Sequence, residues 1–140
     1  MTGLQNFGIF MNKLLTIDAF FLNEDRHMHN IAVLMNGAGD YAYCPIFDNG
    51  AGLLADTTMD YPVSEDIYKL MDKAQSKTIC RDFDEQLDIS ESLYRMNLKF
   101  HFTKNDVPEL LAWAEEYPEE IRNRVQTIIF AQMQKYQYLF

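Results

Sequence analysis

Residues 9–22, IFMNKLLTIDAFFL, carry apolar side chains on nearly every face, with Lys13 and Asp18 the interruptions. A helix apolar all round is a buried central helix. A polar stretch without hydrophobic period follows, Asn23 to Asn30. Residues 31–35 (IAVLM) and 41–47 (YAYCPIF) are short runs of strand-forming residues around Asn36-Gly37-Ala38-Gly39-Asp40. This reads as a β-hairpin with a five-residue loop, with Pro45 ending its strand or placing it at an edge.

Beyond Asp48 the sequence NGAGLLADTTMDYP has no period and predicts a loop. Ser64 then caps a helix whose face is Ile67, Leu70, Met71 and Ala74, with Glu65 and Asp66 in the first turn. Residues 76–102 are ambiguous, although Phe83, Leu87 and Tyr94 permit a helix. Asp106-Val107-Pro108-Glu109 resembles a capping box and opens a helix through Leu110, Leu111 and Ala114. Pro118 starts a final helix on Ile121, Val125, Ile128, Ile129, Met133 and Tyr136. The expected class is mainly α with a small β-hairpin, α+β, in a single domain over residues 1–140.

Composition narrows the function. Asp and Glu number 21 against 12 Lys and Arg, for a net charge of −9, the wrong sign for a protein that coats nucleic acid. No charge-free apolar window approaches the ~18 residues of a membrane span, and Met1-Thr2-Gly3-Leu4-Gln5 lacks the basic and apolar regions of a signal peptide. Cys44 and Cys80 stand alone, too few for a disulfide scaffold or a thiolate zinc site. A reduced, cytoplasmic protein is expected.

The polar stretch carries the chemistry. Asp25 and Asn30 have the spacing of the kinase catalytic loop H-R-D-x-x-x-x-N, in which the Asp takes the acceptor hydroxyl's proton and the Asn binds Mg²⁺. That chemistry needs a second metal-binding carboxylate, and Asp48 follows across the hairpin in Ile46-Phe47-Asp48-Asn49-Gly50. A hairpin joins its own ends, so Asn30 and Asp48 should share a hard cation with nucleotide phosphates.

At these residues the chain resembles the C-terminal lobe of the HipA family, toxin-type Ser/Thr protein kinases of toxin–antitoxin systems. Those kinases share an N-x-D-R-H-x-x-N loop, here Asn23 to Asn30, and a later P-x-[FY]-D element, here Pro45 to Asp48. The string D-R-H-x-x-N-I is also similar to the catalytic loop of phosphoinositide lipid kinases. The match runs from about Leu15 to Leu54, and the helical remainder fits such a lobe loosely. The resemblance implies that Asp25 is the catalytic aspartate, that Arg26 and His27 brace its loop, and that Asn30 and Asp48 hold Mg²⁺ on ATP. Asn23 opens the motif, while Glu24 and His29 fall on variable positions.

The departure is upstream. Only 24 residues precede Asp25, whereas a HipA-like kinase carries a whole N-terminal lobe there. The ATP-gripping lysine and the Gly-rich loop are missing: Lys13 lies in a predicted helix, and Gly37-Ala38-Gly39 continues to Ala42 rather than to a third glycine. The expectation is a C-lobe alone, inactive until a complementing N-lobe chain joins it. The alternative is a pseudokinase-like interaction module, in which Asp25, Asn30 and Asp48 are turn and capping residues. Either form should expose an apolar surface for a partner or a homodimer.

Weaker signals complete the reading. His27 and His29 near Asp25 invite a zinc site but lack further ligands at zinc spacing, and a metal-dependent hydrolase using Asp25, His27 and Asp48 finds no supporting residues in the sequence. His101 between two phenylalanines is expected to be structural, and Cys44 a small core residue.

Overall fold

The computed structural model describes residues 3–140. Among the described residues are five α-helices and one hairpin: α1 (Phe7–Phe21), β1 (Val33–Met35), β2 (Tyr41–Tyr43), α2 (Ile67–Lys73), α3 (Phe83–Tyr94), α4 (Asp106–Ala112) and α5 (Glu119–Lys135). The mainly helical α+β class follows.

Helix α1 is the axis of the molecule. Leu14, Leu15, Ala19 and Phe20 are buried on it, and so are the polar Asn12, Thr16 and Asp18. Lys13, in contrast, reaches solvent, so the helix is not apolar all round. Its buried polar groups are paired, as burial demands. Asn12 donates to Ser90 Oγ on α3 at 2.8 Å and accepts from the Asn97 amide at 3.0 Å. Close approach of α1 to α3 requires Gly8, where a Cβ would lie 2.1 Å from the Tyr94 ring.

Phe20 anchors an aromatic cluster with Phe100, Phe102 and Phe140, at ring-centroid distances of 4.6, 5.9 and 5.7 Å. From α5, Ile128 enters the same core, and Gln132 donates to the Ala19 and Phe20 carbonyls at 2.9 Å each. Helix α1 ends in a Schellman turn: Asn23 N–H reaches the Asp18 carbonyl at 2.9 Å, with Leu22 left-handed at φ 52°. A leucine there costs about 1 kcal/mol or more relative to glycine. It fixes where the polar loop 23–30 leaves the core.

The hairpin has the expected five-residue loop, with Val33 opposite Tyr43 and Met35 opposite Tyr41. Asn36 organises the loop by accepting from the Ala38 and Asp40 amides at 2.9 Å each. Gly39 supplies the positive φ of 85°. The strands are shorter than the apolar runs, and Pro45 lies outside β2. Tyr43 moors the hairpin to α1, its ring stacked on Phe10 at 4.4 Å and its hydroxyl on the Gln5 carbonyl at 2.7 Å.

Several caps differ from expectation. Asp66, not Ser64, caps α2, accepting from the Tyr68 and Lys69 amides at 3.0 and 3.1 Å. The ambiguous stretch contains α3, capped by Asp82. Asp106 is the first residue of α4 and reaches back to the Thr103 amide at 2.6 Å, and Ala114 lies beyond the helix. His101 is exposed and Cys44 only half-buried, so neither is a core residue.

These carboxylates set an acid sensitivity. The Met59 amide and Thr58 hydroxyl hold Asp56 below its ordinary pKa of 3.8, and the Thr103 amide and hydroxyl do the same to Asp106. An acid depressed on folding stabilises the fold above its unfolded pKa, and that contribution is lost as pH falls through the folded pKa. Asp106→Asn should therefore lose less Tm than the parent when thermal melts are taken from about pH 5 down to about pH 2.5. An equal loss in both would show that the Thr103 contacts do not bias Asp106.

Candidate functional site

Arg26 builds the site. Its side chain is fully buried, a costly position for a charge unless every donor is matched. Asp18 on α1 meets it in a two-pronged pair, Nε to Oδ2 at 3.0 Å and Nη2 to Oδ1 at 3.1 Å. Burial raises the Asp18 pKa, while the bonds from Arg26 and Asn23 oppose that rise. Asn23, which opens the motif, donates to Asp18 Oδ1 at 2.8 Å and leaves its own buried Oδ1 without a partner.

The rest of the guanidinium gathers two further segments. Nη1 donates to the Asn30 carbonyl at 3.2 Å and also to the Phe47 carbonyl, and Nη2 donates to Asn49 Oδ1. One buried side chain thus ties together the end of α1, the loop carrying Asp25 and Asn30, and the residues on either side of Asp48. Cys44 N–H reaches the Ala32 carbonyl at 3.1 Å, extending the hairpin ladder toward the same place. The expected closure of the hairpin ends is present at the backbone. Arg26 is fully buried and acts on the loop only through these bonds.

Asn30, in a 3₁₀ turn over Met28–Asn30, donates its Nδ2 to the Asp25 carbonyl at 3.0 Å. That bond occupies the nitrogen of a buried side chain and leaves its amide oxygen as an acceptor. Asp48 is exposed, in the left-handed region at φ 56°, which Asp and Asn tolerate in turns better than other non-glycine residues. An amide oxygen and a carboxylate suit Mg²⁺, which keeps several waters and takes its other ligands from phosphate. Among the described residues, no three or more His, Cys, Asp or Glu side chains group around a metal position. His27 and His29 stand with ring centroids 5.6 Å apart.

Asp25 has a half-exposed side chain. His27 Nε2 lies 4.0 Å from its Oδ2, and Lys77 Nζ lies 3.6 Å from its Oδ1. His27 Nδ1 accepts from the His29 amide at 3.2 Å, which leaves the proton of the neutral ring on Nε2, facing Asp25. His27 thus caps its own turn and faces the carboxylate.

Lys77 is a site residue that sequence reasoning missed. It lies far along the chain, with no motif around it. Its segment is clamped to the loop at two points: Gln75 N–H donates to Glu24 Oε1 at 2.8 Å, and Thr78 Oγ1 donates to the Arg26 carbonyl at 2.7 Å. Glu24, expected to be variable, is therefore a structural anchor. Burial, and then Glu24, push the Tyr61 phenol well above its ordinary pKa. Beside Asp25 these residues enclose an open cleft of about 720 Å³ lined by Glu24, Tyr61, Lys73, Gln75, Lys77 and Arg81.

Comparison of the chain with protein-family models, with curated proteins and with solved structures gave no match.

Proposed function

We propose that the chain is a HipA-like Ser/Thr kinase C-lobe, working in Mg²⁺–ATP-dependent phosphoryl transfer when an N-lobe on another chain completes the cleft. The Arg26 clamp carries the reading. It holds the loop of Asp25 and Asn30 against the residues flanking Asp48, with Asn30 Oδ1 and the Asp48 carboxylate left unbonded to protein.

In this proposal Asp25 orients the acceptor hydroxyl and takes its proton as the hydroxyl oxygen bonds to the γ-phosphorus. The bond from that phosphorus to the β–γ bridging oxygen breaks, and ADP leaves with the electron pair. Asn30 and Asp48 would hold Mg²⁺, which would supply charge neutralisation at the phosphates. Lys77 stands where it can hold the transferred group beside Asp25. The cleft along Gln75 to Arg81 receives the acceptor segment.

The test is transfer of labelled γ-phosphate to a Ser/Thr acceptor by the chain mixed with a HipA-type N-lobe. Transfer that needs both components supports the reading. No transfer from a pair shown to associate and to bind ATP contradicts it.

One observation favours a second reading, a non-catalytic interaction module. Both faces of the hairpin present apolar side chains to solvent, with Met35 at 64% exposure and Met28, nearby in sequence, at 72%. A patch of this kind marks a partner surface. Under this reading association survives replacement of both Asp25 and Asp48, and no nucleotide binds.

A further inference from the structure

A second cavity, of about 340 Å³, opens between the 52–57 loop and helices α4 and α5. That size falls within the range of small-molecule sites. Its walls are mostly apolar: Leu53 and Leu54 from the loop, Leu111 from α4, Ala114 beyond it, and Ile121 and Val125 from α5. Two arginines, Arg122 and Arg124, and the hydroxyl-bearing Thr57 and Tyr117 also line it.

Both cations lack an anion. None of the ion pairs among the described residues includes Arg122 or Arg124, although acidic side chains outnumber basic ones 21 to 12. Arg124 is only 8% exposed, and its terminal nitrogens reach the Tyr61 and Pro62 carbonyls at 2.8 and 3.3 Å, while its Nε has no partner. Arg122 is only half-buried, with its Nε buried and unpartnered, so the fully buried charge is that of Arg124. Buried charge without a counter-ion is expensive, and it persists in folds where something compensates it. Leu53 and Leu54 add strain at φ 56° and 55°, two successive left-handed residues on the cavity wall.

We propose that this cavity binds an apolar carboxylate, its acid group against Arg122 and Arg124 and its hydrocarbon body along Leu53, Leu111, Ile121 and Val125. The occupant needs one negative end because the wall offers two guanidinium groups with no carboxylate partner among the described residues. It needs an apolar body because, Thr57 and Tyr117 apart, the remaining wall is apolar. The site is separate from the nucleotide half-cleft and stands whether or not the kinase reading does.

The probe is octanoate, titrated calorimetrically into the full chain at neutral pH, with 1-octanol as its neutral counterpart. Octanoate should bind saturably at one site, and octanol roughly tenfold or more weakly, the weight of a charge-assisted contact. Arg122→Gln should weaken octanoate by about tenfold while leaving octanol unchanged. Arg122 makes none of the bonds to Tyr61 and Pro62, so this variant should fold as the parent does. Ala114→Phe, which fills the cavity, should abolish binding of both. A peptide ending in free leucine, run beside octanoate, separates a protein C-terminus from a free acid as the source of the carboxylate. Absence of saturable binding by either acid, equal binding of octanol, or full binding by Arg122→Gln would overturn the proposal.

Discussion

Asp18→Ala should destabilise the fold by about 3–5 kcal/mol, because it leaves the Arg26 guanidinium buried without its counter-charge. Domains of this kind have about 5–15 kcal/mol in total, so the variant sits near the threshold of folding. The loss should exceed that from a surface pair such as Lys135 and Asp84, where both side chains are about half exposed. Paired replacement, Asp18→Leu with Arg26→Met, should recover much of the stability, since a matched apolar pair removes the desolvation cost. It should not recover the site. A thioether in place of the guanidinium would leave the Asn30 and Phe47 carbonyls without the donor that joins them, so nucleotide binding should stay lost in a folded protein. Chemical denaturation of the single and double variants checks the stability statements, and nucleotide titration of the double variant checks the last. A double variant that keeps nucleotide binding would show that Arg26 does not position the site.

The second large effect falls on rate. In the reconstituted pair, Asp25→Ala should lower phosphoryl transfer by about 10²–10⁴-fold, the span typical of losing a positioned general base. Nucleotide affinity should hardly change, since the proposed mechanism sets Asp25 against the acceptor rather than the phosphates of ATP. Lys77→Met should show a smaller loss of the same kind, in kcat. A drop in nucleotide affinity matching the drop in rate would move Asp25 from catalysis to binding.

Local patterns made part of this architecture legible in advance. Helix α1, the hairpin with its five-residue loop, and α5 all have dense apolar periodicity or sharp turn chemistry. Helix α3 was ambiguous because few apolar residues mark its sequence, and its buried face includes Gln86 and Ser90. The caps of α2 and α4 were displaced because several Ser and Asp residues compete within a few positions, and only backbone geometry selects among them.

The motif itself stood out as a string of residue types, but its mechanical basis did not. Asp18 read as an interruption of an apolar helix and proved to be the partner of Arg26. The bonds from Arg26 to Phe47 and Asn49 cross the hairpin to backbone and amide oxygens, which no residue pattern encodes. Lys77 reaches Asp25 from well beyond the hairpin, and stayed hidden for the same reason. Spacing reveals chemistry carried by neighbours in sequence, and stays silent on contacts made by the fold.

The central claim is that Asn30 and Asp48 form half of a working nucleotide site. Calorimetric titration of the chain with a non-hydrolysable ATP analogue, with and without Mg²⁺, tests it most directly. The account predicts binding that requires Mg²⁺ and disappears in Asp48→Ala. Absence of binding at millimolar nucleotide, or binding indifferent to Mg²⁺ and to Asp48, would contradict it and put the interaction module ahead.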